Sequence, residues 1–175
     1  MRNIKLIPTW IPREGNQIAD FYSKLDDSDD WSIDHRTFNA ISSRYGPFTV
    51  DRFSDDLNKK LRHFNSRYYV PGTSGVNAFT MNWAGENNWL CPPVPLIPAV
   101  IRHLRICGAR GTLFVPVWPS AFFWPILYPD GETVASFVKH SFLVNPYYYT
   151  RSQSCVIFRG YQTFKGMALK ISFSD

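Results

Sequence analysis

Apolar residues recur along this chain at several distinct spacings, and each spacing predicts an element. Phe38, Ile41 and Tyr45 share one face of a predicted helix that Asp34 caps and Gly46-Pro47 stops. Phe48-Thr49-Val50 then reads as a buried strand ending at Asp51, and residues 52–63 as a basic helix. Residues 65–86 form a long irregular stretch punctuated by Pro71-Gly72 and Ser74-Gly75. Trp89-Leu90-Cys91 is a second short strand. It runs through Pro92-Pro93-Val94 into a helix from about Leu96 to Cys107, whose apolar face is Leu96, Ile97, Val100, Ile101 and Leu104. Arg102 and Arg105 lie away from that face, and Gly108 and Gly111 punctuate the helix end. Residues 112–117 are the clearest buried strand, and Trp118-Pro119-Ser120 opens another short helix. Residues 134–138, 155–158 and 167–173 read as later strands. Alternation of strand and helix through the middle predicts an α/β fold: a mostly parallel sheet with helices on its faces, closed by an antiparallel pair.

Polar patterning divides the chain. Residues 1–25 hold a short apolar start and an amphipathic piece around Ile18-Ala19-Asp20-Phe21. The run Asp26-Asp27-Ser28-Asp29-Asp30 repels itself and reads as a solvated linker over 26–30, after which a new unit spans 31–175. The charge follows this division. Residues 1–35 carry four basic and seven acidic side chains, whereas residues 36–175 carry fifteen basic and seven acidic. A basic second segment is compatible with a polyanionic partner, DNA or an RNA–DNA hybrid among them. No dense basic run occurs; Lys59-Lys60-Leu61-Arg62-His63 is the nearest, and a solvated helical face explains it equally well.

Composition is that of a globular chain, 45% hydrophobic and 19% charged over 175 residues, enough for one sizeable core. Aromatic content is high at 17%, and Tyr147-Tyr148-Tyr149 falls in a loop-like context. Such rings serve packing or stack on bases. Cys91, Cys107 and Cys155 are isolated, with no CxxC and no histidine at metal-ligand spacing. The odd count is expected of reduced thiols in an intracellular protein, nuclear or cytoplasmic. Apolar runs are broken by Pro, Trp and Arg, so no membrane span is expected.

Two ordered sets of motifs carry a resemblance. Ile11-Pro12-Arg13-Glu14-Gly15-Asn16-Gln17-Ile18-Ala19-Asp20 is similar to the C-terminal end of the ribonuclease H domain in retroelement polyproteins. There the aspartate matched by Asp20 is the last of four carboxylates that hold two divalent metals, Mg in an intact domain, for phosphodiester hydrolysis. Only nineteen residues precede Asp20 here, so a metal role is expected of it only as part of a longer protein. An ordinary exposed aspartate at a helix start is the competing reading.

The second set runs Phe48-Thr49-Val50-Asp51, Asn58, Arg67-Tyr68-Tyr69-Val70-Pro71-Gly72, Val76-Asn77, Asn82-Trp83, Asn88-Trp89-Leu90-Cys91-Pro92-Pro93-Val94 and residues 111–120. In that order it resembles the methyltransferase-like domain that follows ribonuclease H in DIRS-type, tyrosine-recombinase-encoding retrotransposons, itself similar to phage adenine-amino methyltransferases. The resemblance implies a Rossmann-like methyltransferase-type sheet over 31–175 behind a short ribonuclease H remnant over 1–25. It also implies an amino-methyltransferase motif at Cys91, Pro92, Pro93 and Val94, with Asp51 on the cofactor side.

In that family an Asn or Asp accepts a hydrogen bond from the target amino group, the neighbouring proline carbonyl takes the other hydrogen, and an aromatic residue stacks on the flipped base. Cys91 is a weak donor and weak acceptor, and Val94 cannot stack. Two positions often acidic in the enzymes are Asn77 and Asn82 here, and no glycine-rich loop follows Val50. The expectation is therefore a catalytically inactive retroelement fragment that needs no cofactor and has either no present activity or nucleic-acid binding without catalysis. The alternatives are an active S-adenosylmethionine-dependent DNA amino-methyltransferase, part of a reverse transcriptase and ribonuclease H polyprotein, or a basic interaction module. Asp51 also reads as a strand-end cap, and Cys91 as a buried inert thiol or a nucleophile activated by the following helix.

Overall fold

The computed structural model describes residues 30–150, 155 and 157–174. Asp20 and the rest of residues 1–25, expected from the resemblance to be a ribonuclease H remnant, and residues 26–29 of the expected linker lie outside the described residues. In chain order the elements are β1 (Ser32–Ile33), α1 (His35–Tyr45), β2 (Val50–Asp51), β3 (Asn65–Ser66), β4 (Gly75–Val76), β5 (Asn87–Leu90), α2 (Ile97–Ile106), β6 (Arg110–Pro116), α3 (Trp124–Leu127), β7 (Val138–Val144), β8 (Tyr148–Tyr149) and β9 (Gly166–Ser172).

The fold is mixed α/β, built on a five-stranded sheet with few helices. Its strand order is β2-β5-β6-β9-β7. β2, β5 and β6 run parallel, with Asp51 opposite Trp89 and Leu90 opposite Leu113. β9 lies antiparallel between β6 and β7. Two short pairs stand beside this sheet, β1 with β8 and β3 with β4.

Side-chain alternation covers both faces. On one side Trp89, Cys91, Phe114 and Ala168 pack with Phe38, Ile41 and Tyr45 of α1. On the other, Leu90, Leu113, Val115, Leu169 and Ile171 pack with Ile97, Val100, Ile101 and Leu104 of α2. A strand buried on both faces needs apolar residues at successive positions, which is the character of residues 113–115. Each large apolar side chain so buried contributes about 1.5–3 kcal/mol, more than the few ladder bonds of a two-residue strand such as β2. Close strand approach explains Gly111. A Cβ there would meet the Asn88 carbonyl oxygen at 2.6 Å, so Gly111 belongs to the sheet and not to the end of α2.

Local chemistry matches prediction at α1. The Asp34 carboxylate accepts from the Thr37 N–H at 2.8 Å, and the helix buries Phe38, Ile41 and Tyr45. Elsewhere the elements differ from expectation. Residues 52–63 form turns rather than a helix, because Asp55 accepts from the N–H groups of Leu57 and Asn58 while Asn58 accepts from that of Asp55. The helix after Trp118 begins only at Trp124. Residues 134–137 are not a strand: the Ala135 N–H donates to Leu127 and the Val138 N–H to Ala135, so pairing starts at Val138 opposite Ile171. Residues 157–158 turn, which places Phe158 in the core while Ile157 is exposed.

Candidate functional site

Parallel strands deliver their carboxyl ends to one edge, and in open α/β sheets that edge is where ligands bind. Here it gathers Asp51 from β2 and Cys91-Pro92 from the end of β5. Cys91 is 5% exposed. Burial pushes its thiol well above the ordinary value, and the Asp51 carboxylate adds to this while Lys60 opposes it. At neutral pH Cys91 is therefore a thiol, the unreactive form.

Asp51 is 2% exposed. One carboxylate oxygen accepts from the Lys60 backbone N–H at 2.9 Å, and the other has no hydrogen-bond partner among the described residues. Burial pushes its pKa up to about 6, against the lowering effect of Lys60. The chain after β2 folds across this carboxylate: the Asp51 N–H donates to His63, and Phe64 bridges to Asp51. No glycine occurs between Asp51 and Gly72, and Arg52 turns inward rather than opening a loop. A methyl donor would thus meet neither an open carboxylate at Asp51 nor a loop that admits its backbone, so the residues present do not fit S-adenosylmethionine at this strand end.

The other occupants of the edge come from distant parts of the chain. The Trp31 indole N–H donates to the Pro92 carbonyl at 2.9 Å. The ring is 2% exposed and stacks on Phe158, with centroids 4.5 Å apart and planes 14° apart. Tyr148 and Phe114 complete the slot at 5.7 and 5.8 Å. Trp31 is held by its neighbours in sequence: the Asp30 carbonyl accepts from the Thr150 hydroxyl, the Asp30 carboxylate from Asn58, and β1 pairs with β8. Tyr148 has a buried hydroxyl without a hydrogen-bond partner among the described residues, and burial, then Cys91, raises its pKa.

Pro93 and Val94 have structural duties. The Pro93 carbonyl accepts from the Leu96 N–H at 2.9 Å, starting the 3-10 turn Val94–Leu96 that leads into α2. Val94 packs against both cores. Asn77 and Asn82 cap turns: Asn77 accepts from the Phe79 N–H at φ 60°, and Asn82 from the Ala84 N–H. His103 does not approach Cys91. It bonds the Met81 carbonyl at 3.0 Å, lies 3.5 Å from the Cys107 sulfur, and packs on Trp83 on the opposite face. Among the described residues no three His, Cys, Asp or Glu side chains cluster to hold a metal ion.

Sequence reasoning missed a second buried polar group. The Arg52 guanidinium is held by neutral partners, Asn88 at 2.7 Å and Asn65 at 2.8 Å, and lies 5.5 Å from the Trp83 ring. Asn88 in turn donates to the carbonyls of Trp83, Glu86 and Arg110. It also missed Trp31, Tyr148 and Phe158, which are 61, 57 and 67 positions from Cys91 or Pro92 and carry no local motif. No protein-family model matches this chain, and no curated protein does.

Proposed function

We propose that residues 31–175 are a methyltransferase-like module of retroelement origin whose amino-group site is closed by its own chain and transfers no methyl group. The observation that carries this reading is the Trp31–Pro92 bond. A target amino group needs the proline carbonyl and a stacking slot beside it. Here the carbonyl accepts from an indole N–H, and the slot beside it holds that indole against Phe158.

Three further features agree. Cys91 supplies a neutral, buried sulfur where the chemistry needs a strong acceptor. Val94 fills core space instead of facing a base. A parallel run of three strands ending in an antiparallel pair agrees with the Rossmann-like methyltransferase-type sheet expected from the resemblance. On this reading the protein acts inside the cell, in nucleus or cytoplasm, as a partner of nucleic acid and not as an enzyme.

Thermal unfolding with and without S-adenosylmethionine tests the proposal. A ligand at 100 times its Kd raises stability by about 2.7 kcal/mol. We expect no shift at millimolar ligand and no labelled methyl transfer to adenine- or cytosine-containing DNA; either signal overturns the proposal. Reading the gene upstream of Met1 tests the origin, with reverse-transcriptase and ribonuclease H coding sequence as the expected finding.

A further inference from the structure

Three cationic or ionisable side chains converge where α1 ends over the sheet. Arg44 is in the last turn of α1, His140 is on β7 and Lys170 is on β9, and all three are exposed. His140 and Lys170 are register partners across the β7–β9 pair. Two neighbouring rings, Tyr45 and Phe142, with centroids 5.3 Å apart, hold the group together. The Arg44 guanidinium lies 4.7 Å from the Phe142 centroid, and the Lys170 ammonium 5.9 Å from that of Tyr45. The Tyr45 hydroxyl contacts His140 Nδ1; as the donor there it leaves the ring proton on Nε2.

No carboxylate shares these elements. Residues 35–50 and 133–174, which include α1, β7 and β9, contain no Asp or Glu. Asp34 caps the opposite end of α1, and Glu86 acts on Arg52, which lies beside Trp83 in the other core. Among the described residues Arg44, His140 and Lys170 are in no ion pair. The negative end of α1 is itself covered, since the Asn87 amide donates to the carbonyls of Tyr45 at 3.0 Å and Pro47 at 2.8 Å.

We infer that Arg44, His140 and Lys170 form a contact for the phosphate backbone of duplex nucleic acid. A cationic surface without counter-charge selects a polyanion. Tyr45 is 7% exposed and Phe142 is half-buried beneath Arg44, so the surface offers charge to phosphates and no ring to unstacked bases. Among nucleic acids the duplex has the denser charge, one for about every 1.7 Å of axis. The inference rests on the nucleic-acid part of the proposed function and adds the surface and the strand form; it does not involve Trp31, Cys91 or Pro92.

Fluorescence anisotropy with a labelled DNA duplex of about twenty base pairs tests it. Three phosphate contacts predict a log–log salt slope of roughly −2.7, so a fourfold rise in salt should weaken binding about fortyfold. Arg44→Gln and Lys170→Gln should each flatten the slope by about 0.9, and the double variant by about 1.8. Lys165→Gln, exposed at the opposite end of β9, should leave the slope unchanged. All the substituted side chains are exposed, and unchanged melting curves verify folding; where Arg44→Gln disturbs Phe142, Lys170→Gln carries the test alone. A wild-type slope in the double variant overturns this surface while the nucleic-acid reading stands, and no binding at low salt overturns both. The surface also fails if Lys165→Gln acts as strongly as Lys170→Gln, if a single strand of the same length binds more tightly, or if the double variant loses only binding to phosphatidylserine vesicles.

Discussion

The indole N–H of Trp31 reaches the carbonyl of Pro92 across 2.9 Å, although 61 positions of chain separate them. That bond links the first residues of the described unit to the carboxyl edge of β5. It also engages the Pro92 carbonyl, the acceptor that an amino-group site would use. Trp31 thus has two roles, as part of the core under α1 and as a built-in occupant of a flat slot with one hydrogen-bond acceptor.

Removing the ring should leave a cavity shaped for its replacement. Trp31→Gly is expected to lose roughly 3–5 kcal/mol, the usual cost of deleting a buried aromatic. Free indole at millimolar concentration should recover part of the lost melting temperature. 1-Methylindole, which cannot donate to Pro92, should recover less. Equal recovery by both would mean that the carbonyl contributes nothing to the slot.

The Asp51 carboxylate gives a pH signature. Its pKa in the fold is about 6 against an ordinary 3.8, so the folded state holds the proton more tightly than the unfolded state. Stability then falls as pH rises from about 4 to about 6 and levels off above, a cost of about 3 kcal/mol once the group is ionised. Asp51→Asn should abolish that segment of the profile and be the more stable protein at pH 7 and above. The difference between the two proteins' chemical-denaturation free energies, followed against pH, isolates this group from Asp34, whose pKa is lowered and whose effect has the opposite sign.

Asn88 should be among the costliest polar residues to remove. It accepts from Arg52 and donates to three backbone carbonyls while fully buried. Asn88→Ala leaves a buried guanidinium short of a partner, with an expected loss of about 3–5 kcal/mol. Urea unfolding of that variant beside Asn58→Ala, whose site is partly open to solvent, checks the contrast. A loss under about 1 kcal/mol would show that the Arg52 network contributes little.

Thiol titration distinguishes an inert Cys91 from a nucleophilic one. Cys91 and Cys155 are buried and Cys107 is half-buried. In the folded protein a water-soluble disulfide reagent should modify Cys107 first, and all three cysteines should react after denaturation. Peptide mapping that finds Cys91 labelled as fast as Cys107 would restore the nucleophile reading.

Legibility in the sequence followed the range of the interaction. The α1 cap at Asp34, the apolar face of α2 and the strand read over residues 112–117 are local patterns, and the structure contains them, the strand as Arg110–Pro116. The turns over residues 52–63 escaped because Asp55 and Asn58 satisfy backbone N–H groups that a helix would use. The strand at residues 134–138 was displaced because its partner β9 sets the register from Val138 onward. The motif residues Cys91, Pro92, Pro93 and Asp51 were visible as a strand-end constellation, but the full burial of the Asp51 carboxylate was not, because it comes from the chain through His63 and Phe64 that folds across it.

By itself the sequence determined the periodic elements, the proline turn after β5 and the weak hydrogen-bonding character of the Cys91 side chain, since each depends on residue type or on neighbours a few residues apart. Tertiary structure alone decided what occupies that strand end. Trp31, Tyr148 and Phe158 meet there because the β1–β8 pairing and a two-faced sheet bring distant aromatic residues into one core. Their burial, and with it the raised pKa values of Asp51 and Cys91, is a property of the packed assembly and of no segment within it.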